Sequence, residues 1–265
     1  MIFKIDYHFH PSLPLNKEEA LEKCKRWWVE YAKYGINVLI VTEHIYENPK
    51  FSYEMMRLTR PKNCFVFPGV EYLTKEGIDI IIFSKKPDFY GLRELLPYKM
   101  TYKSTLEFVY KNKLEACVTH PYTLGNTSII HILGYKIFHK SVDKLGVVEI
   151  TNTSFLNLRN AIREYHLQRL LKKEMIGINR TMHLPHKDYP KKIKFLAAGS
   201  DAHYFSEVGT YVRLNCDPKD LFFRLTHDKN PQVIRKRSIR ADYLLLLEES
   251  LNSFKEYMLK IKQKC

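Results

Sequence analysis

The chain has 265 residues, of which 45% are hydrophobic and 13% are aromatic, enough for one large domain or one domain with an appendage. No apolar run reaches the length of a membrane span, and the N-terminus lacks the basic-then-apolar pattern of a signal peptide, so we expect a cytoplasmic protein that does not enter a membrane. Five scattered cysteines without a C-x-x-C pair argue against a disulfide framework and a cysteine zinc site. The formal net charge of +14 suggests polyanionic partners such as nucleic acid, although lysine-rich surfaces also arise from thermophilic or compositional bias and the acidic residues are interspersed with the basic ones.

Apolar runs typical of short buried strands alternate with amphipathic helical stretches along the chain. Seven such runs cover residues 3–7, 37–41, 64–68, 78–83, 116–118, 146–150 and 195–198. This alternation indicates parallel βα units, and six or seven such units suit a closed or nearly closed barrel better than a short open sheet. We therefore expect an α/β protein whose residues 1–214 form a barrel similar to a TIM barrel.

The first run ends in His8-Phe9-His10. Strand side chains alternate between faces, so the two imidazoles would project together from the end of one strand, where they can bind a single metal ion. The alternative is a pair of polar residues on the solvated face of an edge strand.

The first helix has clear signals at both ends. Asn16 predicts its N-cap with Glu19 three residues on, and Gly35 predicts its C-terminal end. The side chains that recur at helical spacing and would pack on the sheet are Ala20, Cys24, Trp27, Trp28 and Tyr31.

Metal-binding side chains recur at the ends of the later apolar runs. They are Glu43, His44, Glu71, His120, Glu149, Asp201 and His203, and Asp79 is a charged residue near the start of the run 78–83. Barrel enzymes carry their chemistry at the carboxyl ends of the strands. Burying several such groups together is prohibitive without a counter-charge, and these strand ends contain almost no basic residues. The pattern therefore predicts a metal site.

Residues 215–265 are expected to form an appendage rather than an independent domain. A stripe typical of one amphipathic helix runs through Leu244, Leu247, Leu251, Phe254, Met258 and Ile261. We expect this helix to pack on the barrel wall, and a homodimer contact is the alternative.

Five motifs, in order along the chain, resemble those of the polymerase and histidinol phosphatase superfamily of metal-dependent phosphoesterases, called PHP domains. They are His8-Phe9-His10, Glu43-His44, Gly69-Val70-Glu71, Thr119-His120-Pro121 and Gly199-Ser200-Asp201-Ala202-His203. The resemblance implies a distorted (β/α)7 barrel, two or three clustered divalent ions (zinc, manganese or iron) and the hydrolysis of phosphate esters.

The resemblance also implies a ligand set. One ion would take His8, His10, Glu71 and Asp201, and a second would take His44 and His203. Glu71 would bridge to a third position completed by His120, and Glu43 and Glu149 would support the ligands.

Two departures from the family pattern bear on the number of ions. Asp79 stands where many relatives have a histidine, and oxygen in place of nitrogen favours harder ions such as manganese or magnesium. Residues 11–16 contain no carboxylate or imidazole where many relatives supply a further ligand. Either Glu43 or a more distant residue completes the ligand set of the second ion, or the site has fewer ions. In that case it is binuclear or holds one weakly bound ion.

The expected reaction is in-line attack on phosphorus by hydroxide that bridges the ions. Site histidines 44, 120 and 203 are the expected catalytic residues, and His120 and His203 are the candidate proton donors to the leaving oxygen. Candidate phosphate-clamping residues are Arg159, Arg163 and Arg180, whereas His183 and His186 are interpreted as surface loop residues.

Three functions fit this sequence. The first is a phosphatase acting on a small phosphorylated metabolite or nucleotide. The second is a nuclease that trims the ends of single-stranded DNA or RNA. The third is a catalytically silent scaffold in which the metal ions only stabilise the fold.

Overall fold

The computed structural model describes residues 1–122, 128–164, 166–228 and 231–235. Its strands are β1 (Ile2–Phe9), β2 (Val38–Val41), β3 (Phe65–Leu73), β4 (Asp79–Phe83), β5 (Glu115–Val118), β6 (Val147–Asn152), β7 (Phe195–Gly199), β8 (Tyr211–Asn215) and β9 (Gln232–Ile234). Its α-helices are α1 (Lys17–Tyr34), α2 (Pro49–Leu58), α3 (Tyr102–Lys111), α4 (Ile129–Leu145), α5 (Leu156–Glu164), α6 (Lys172–Met182) and α7 (Leu221–Arg224). None of the described helices is long and apolar enough to cross a membrane.

The strands form one mixed sheet in the order β7-β6-β5-β4-β3-β2-β1-β8-β9, and this sheet curls into a nearly closed barrel. Closure occurs where β7 ends beside β1: the Asp201 amide donates to the His8 carbonyl at 2.8 Å, and the His10 amide donates to the Ala202 carbonyl at 3.0 Å. Gly199 permits this approach, because a Cβ atom there would lie only 2.4 Å from the Cβ of His8. The fold is therefore α/β and barrel-like, as expected.

Of the seven predicted strands, one differs from the expected parallel arrangement, and β8 and β9 also pair antiparallel. β4 is antiparallel to both β3 and β5, and it follows β3 directly as a hairpin without an intervening helix. The barrel is therefore not a plain series of parallel βα units. The reversal brings the amino end of β4, where Asp79 lies, to the same edge as the carboxyl ends of the parallel strands.

A β-bulge in β1 sets the direction of its histidines. Asp6 pairs with Leu39 and Phe9 with Val41, so β1 contains one residue more than β2 over this stretch. Before the bulge Tyr7 belongs to the apolar cluster inside the barrel, and after it Phe9 packs outward against α1. The inserted residue changes the alternation, so that His8 and His10 point into the barrel mouth.

The first helix agrees with its sequence signals. Asn16 caps it by accepting from the amides of Glu18 and Glu19, and Gly35 ends it in the left-handed conformation at φ 65°. Its buried side chains are the five predicted: Ala20, Cys24, Trp27, Trp28 and Tyr31.

The chain beyond residue 210 completes the barrel as far as the structure describes it. β8 extends the sheet beside β1, and β9 pairs with β8. Leu221 and Leu225 are buried in the interior cluster, and the Leu225 carbonyl accepts from the Tyr7 hydroxyl at 2.9 Å. The expected amphipathic helix over residues 244–261 lies outside the described residues.

Candidate metal centre

Glu71 lies at the middle of a cluster of imidazoles at the barrel mouth. Its Oε1 is 2.9 Å from His120 Nε2 and 3.3 Å from His8 Nε2. Its Oε2 is 3.0 Å from His44 Nδ1 and 3.4 Å from His10 Nε2. Each oxygen thus faces its own pair of histidines, which is the arrangement of a carboxylate that bridges two ions.

The distances between donor atoms fit a shared ion. His8 Nε2 and His10 Nε2 are 2.9 Å apart, and Asp201 Oδ1 lies 3.3 and 3.1 Å from them. Ligand atoms about 2.1 Å from one ion lie roughly 3.0 Å apart at right angles and roughly 3.4 Å apart at the tetrahedral angle. The observed separations lie close to this range, so the residues present fit a bound divalent cation.

Two further groups of donor atoms adjoin this one. His44, His203 and His10 form one group, in which the Nε2 atoms of His44 and His203 are 3.3 Å apart. Glu71, Asp79 and His120 form another, with all donor atoms within 4.8 Å of one another. The structure therefore brings together all eight residues that the sequence suggested as ligands.

Polar partners behind the cluster orient its imidazoles. Glu149 accepts from His8 Nδ1 at 3.1 Å and from the His120 amide at 2.8 Å. The backbone carbonyl of Asp201 accepts from His203 Nδ1 at 3.1 Å. Both imidazoles consequently turn an Nε2 lone pair toward the centre, as metal-binding histidines do.

Glu43 lies behind the cluster rather than within it. Its Oε2 accepts from the Ser12 amide at 2.7 Å and from the Ser52 hydroxyl at 3.2 Å, while Oε1 is 3.6 Å from His10 Nδ1. The His10 Nδ1 atom is buried and makes no hydrogen bond within the described structure. This position of Glu43 suits support of His10 rather than ligation.

Asp201 is held in an unusual backbone conformation. Its φ of 51° is left-handed, which is uncommon for a residue with a side chain and clusters at functional sites. Asn152 donates to its Oδ2 at 2.8 Å. Beneath it, the buried Asp6 accepts from the Ser200 amide at 2.9 Å, from the Ser200 hydroxyl and from Tyr31 at 3.2 Å.

Among the described residues, imidazoles are the only basic groups that pair with the carboxylates of the cluster. No Lys or Arg of the described chain forms an ion pair with Glu43, Glu71, Glu149 or Asp201. Burial opposes ionisation of Glu71, yet the neighbouring imidazoles, His8 foremost, hold its pKa well below the usual value. Burial likewise opposes protonation of His120, but Glu71 raises its pKa to about 9. The cluster thus favours charged carboxylates balanced by positive charge.

His203 differs from the other imidazoles. Burial and the nearby His10 lower its pKa to about 3, so the ring is neutral near pH 7. A neutral imidazole is the form that binds metal ions.

The candidate clamping residues lie apart from the cluster. Arg159 and Arg163 are on α5, and no ion pair between described residues joins either of them to Glu71 or Asp201. Arg180 lies on α6 with its guanidinium 5.0 Å from the centre of the Tyr122 ring. His183 and His186 are exposed and outside the cluster.

A cleft of about 930 Å³ opens beside His203. It lies between the segment after β1, helix α1, the segment that links β2 to α2, and the segment after β7. Sequence reasoning did not find this cleft, because its walls come from loops and helix faces without a shared periodicity. It also missed Asp6 and Asn152, although Asp6 is a charged residue in an apolar strand, a signal of a special role.

Comparisons with known proteins give a fold and little more. The sequence matches no family model and no curated protein sequence. Among solved structures, PsfC from Pseudomonas syringae PB-5123 superposes with a TM-score of 0.57 at 15% identity, covering 95% of this chain and 97% of that one. This likeness supports the barrel-like fold alone. The lesion-specific endonuclease PfuEndoQ from Pyrococcus furiosus is a weaker match, with a TM-score of 0.47 at 12% identity over 88% of this chain and 58% of that one.

Proposed function

We propose that this chain is a metal-dependent phosphoesterase of the PHP type that hydrolyses a small phosphorylated metabolite or a nucleotide. The observation that carries the proposal is the position of Glu71, whose two oxygens each face two imidazoles. A buried carboxylate among four histidines has little structural use without ions, because well-packed apolar residues of similar volume would make the fold more stable than such a cluster does.

The proposed ligands are the residues that converge on Glu71. His8, His10 and Asp201 hold one ion, His44 and His203 hold a second, and His120 with Asp79 offers a third position. Bound ions of this kind lower the pKa of a water molecule to near neutrality and neutralise charge on the phosphoryl oxygens. The proposal includes two or three ions, which are zinc, manganese or iron. Their number and identity are to be measured.

The remaining residues orient the ligands and admit the substrate. Glu149 and the Asp201 carbonyl keep protons on the Nδ1 atoms of His8 and His203, which leaves their Nε2 atoms for the ions. His203 also lines the cleft, but its ring is neutral near pH 7 and its Nε2 is assigned to an ion, so it suits the role of a ligand and not that of a proton donor. His120 is 5% exposed and its Nε2 lies against Glu71.

The proposal is tested by metal analysis together with a screen of phosphate esters under manganese, zinc and magnesium. Wild-type protein is expected to release phosphate only when loaded with metal. Asp201→Ala and His10→Ala are expected to lose hydrolysis while keeping the circular dichroism of the folded barrel. Full activity in either variant would remove that residue from the site, and a metal-loaded protein inert toward all esters would favour the silent scaffold.

Nuclease activity is the second candidate, and the net charge of +14 favours it. A basic surface attracts the phosphate backbone by releasing counterions, so such activity falls steeply as salt is added. Degradation of labelled single-stranded DNA or RNA that declines steeply with salt, and exceeds the hydrolysis of small esters, would support this candidate over the first.

A further inference from the structure

The cleft beside His203 shares a wall with the candidate metal centre. His203 lines it, and so does Ser52, whose hydroxyl donates to Glu43. A volume of about 930 Å³ is within the range of small-molecule sites. A group attached to a phosphate at the centre can therefore extend into this cleft.

The walls of the cleft are rich in aromatic rings. The rings that line it belong to Trp27, Tyr46, Phe51, Tyr204 and Phe205. The Trp27 and Phe205 rings pack with centroids 4.3 Å apart, and Tyr46 stacks on His44 at 4.9 Å and 12°. The Phe205 ring is already covered by the Arg26 guanidinium at 4.7 Å. Tyr46, Phe51 and Tyr204 are partly exposed, so these three rings can contact a ligand. Aromatic faces of this kind bind flat rings by stacking.

The few charged residues of the cleft argue against a polyanionic occupant. Apart from His203, the described lining residues include one cation, Lys23, and one acid, Glu47, whose pKa burial raises to about 7. The Lys23 ammonium already donates to the Ser12 carbonyl at 2.7 Å. A polyphosphate or a nucleic acid backbone would need several cations along its path. The cleft therefore suits an uncharged group.

We infer that this cleft binds the leaving group of the substrate and that this group carries a flat heteroaromatic ring, as a nucleoside does. The inference rests on the proposed function, since it names the substrate class of the same site. Ser12, Asn48 and Ser206 add polar groups among the rings, which can bond the polar edge of such a ring.

A matched pair of substrates tests it. Adenosine 5′-monophosphate and ribose 5-phosphate release phosphate from the same kind of primary alcohol and differ in the base. We expect kcat/KM to be about 5- to 150-fold higher for the nucleotide, because stacking of one base on aromatic rings is worth a factor in that range. Phe51→Ala should lower the ratio of the two kcat/KM values about tenfold, and Phe51→Leu, which keeps apolar volume without a ring, should lower it as well. Tyr110→Ala is the control, since Tyr110 is 82% exposed on α3 and does not line the cleft.

Binding of adenosine to the metal-free protein gives a readout that needs no catalysis. Adenosine should bind with saturation in isothermal titration calorimetry, and more weakly to Phe51→Ala, because Phe51 lines the cleft. Equal hydrolysis of the two esters, or a preference that survives Phe51→Ala, would overturn the inference and leave the proposed function intact. Saturable binding of adenosine without hydrolysis of either ester would contradict the proposed function alone. Neither binding nor hydrolysis would contradict both.

Discussion

Glu149 supports the candidate site without being one of its proposed ligands. It fixes the His8 ring through Nδ1 and the His120 backbone through the amide, and it is 3% exposed. Orientation of this kind keeps the Nε2 lone pair of His8 aimed at the centre and raises its basicity. The sequence indicated Glu149 by its place near the end of an apolar run, but not which histidine it would orient.

We expect Glu149→Gln to weaken metal binding about 10- to 100-fold without unfolding the chain, because the amide keeps the shape but accepts the His8 proton less strongly. Titration with zinc or manganese against a chelating dye measures the change. Glu107→Gln on α3 serves as the control, since the Glu107 side chain is 62% exposed. Unchanged affinity in Glu149→Gln would remove Glu149 from the support of the site.

Asp79 offers a second test at the residue scale. Its carboxylate shares a group with Glu71 and His120, and oxygen ligands favour harder ions than imidazole does. We expect Asp79→His to keep hydrolysis and to raise the ratio of zinc to manganese affinity. An unchanged ratio in competition titrations would mean that Asp79 contacts no ion.

At the scale of elements, the contact between β1 and β7 determines whether the site forms. The two strands meet at Gly199 and His8, and the β1 bulge turns both histidines inward at the same level. The ligands from β1 and from the segment after β7 are therefore positioned by one close backbone approach.

Gly199→Ala is expected to destabilise the fold by at least about 1–3 kcal/mol, because the new methyl group would lie 2.4 Å from the His8 Cβ and only backbone movement relieves it. Metal affinity should fall as well, since His8 moves with β1. Gly91→Ala is the matched control, because a Cβ there meets nothing within 4 Å. Chemical denaturation of the two variants measures the difference, and equal stability would contradict the described packing.

The positions of the seven strands around the site could be predicted from the sequence, but the direction in which β4 runs could not. Each of the seven apolar runs overlaps a strand, because short buried strands have a strong local signal. The antiparallel direction of β4 has no such signal, since direction depends on which neighbours pair. β8 and β9 have weaker signals, because β8 alternates buried apolar residues with exposed polar ones and β9 has only three residues, all at least partly exposed.

The candidate ligands have a stronger signal in the sequence than the residues around them, for a physical reason. Ligand types at strand ends, such as His44 and Glu71, are visible as polar residues after apolar runs. The cleft and the role of Asp6 depend on contacts between distant segments, for example the bond from Ser200 to Asp6. The domain boundary at residue 214 stays a prediction, and β8 spans it within the sheet.

At the scale of the whole molecule, the charges of the centre link stability to pH. Without ions, the protonated His120 offsets the buried carboxylates, and its pKa is raised from the usual 6.5 to about 9. A raised pKa contributes stability that is fully present below pH 6.5 and is lost as the pH rises through 9.

We therefore expect the free energy of unfolding of the metal-free protein to fall between pH 6.5 and 8.5, by an amount on the order of 3 kcal/mol or less. The metal-loaded protein should show no such loss, because the ions replace the lost positive charge and bind more tightly as imidazoles deprotonate. Thermal unfolding at matched salt compares the two forms. Parallel pH profiles would mean that the cluster is not a metal centre.

The central claim is that Glu71 joins the ions of a hydrolytic site, and the most direct test is phosphate release by Glu71→Gln after removal and reloading of manganese. The substitution keeps the shape of the side chain and removes its charge. We predict that wild-type protein recovers hydrolysis on reloading, whereas Glu71→Gln remains folded and loses at least about a thousandfold in kcat/KM. Recovery of hydrolysis by Glu71→Gln to the wild-type level would contradict the account.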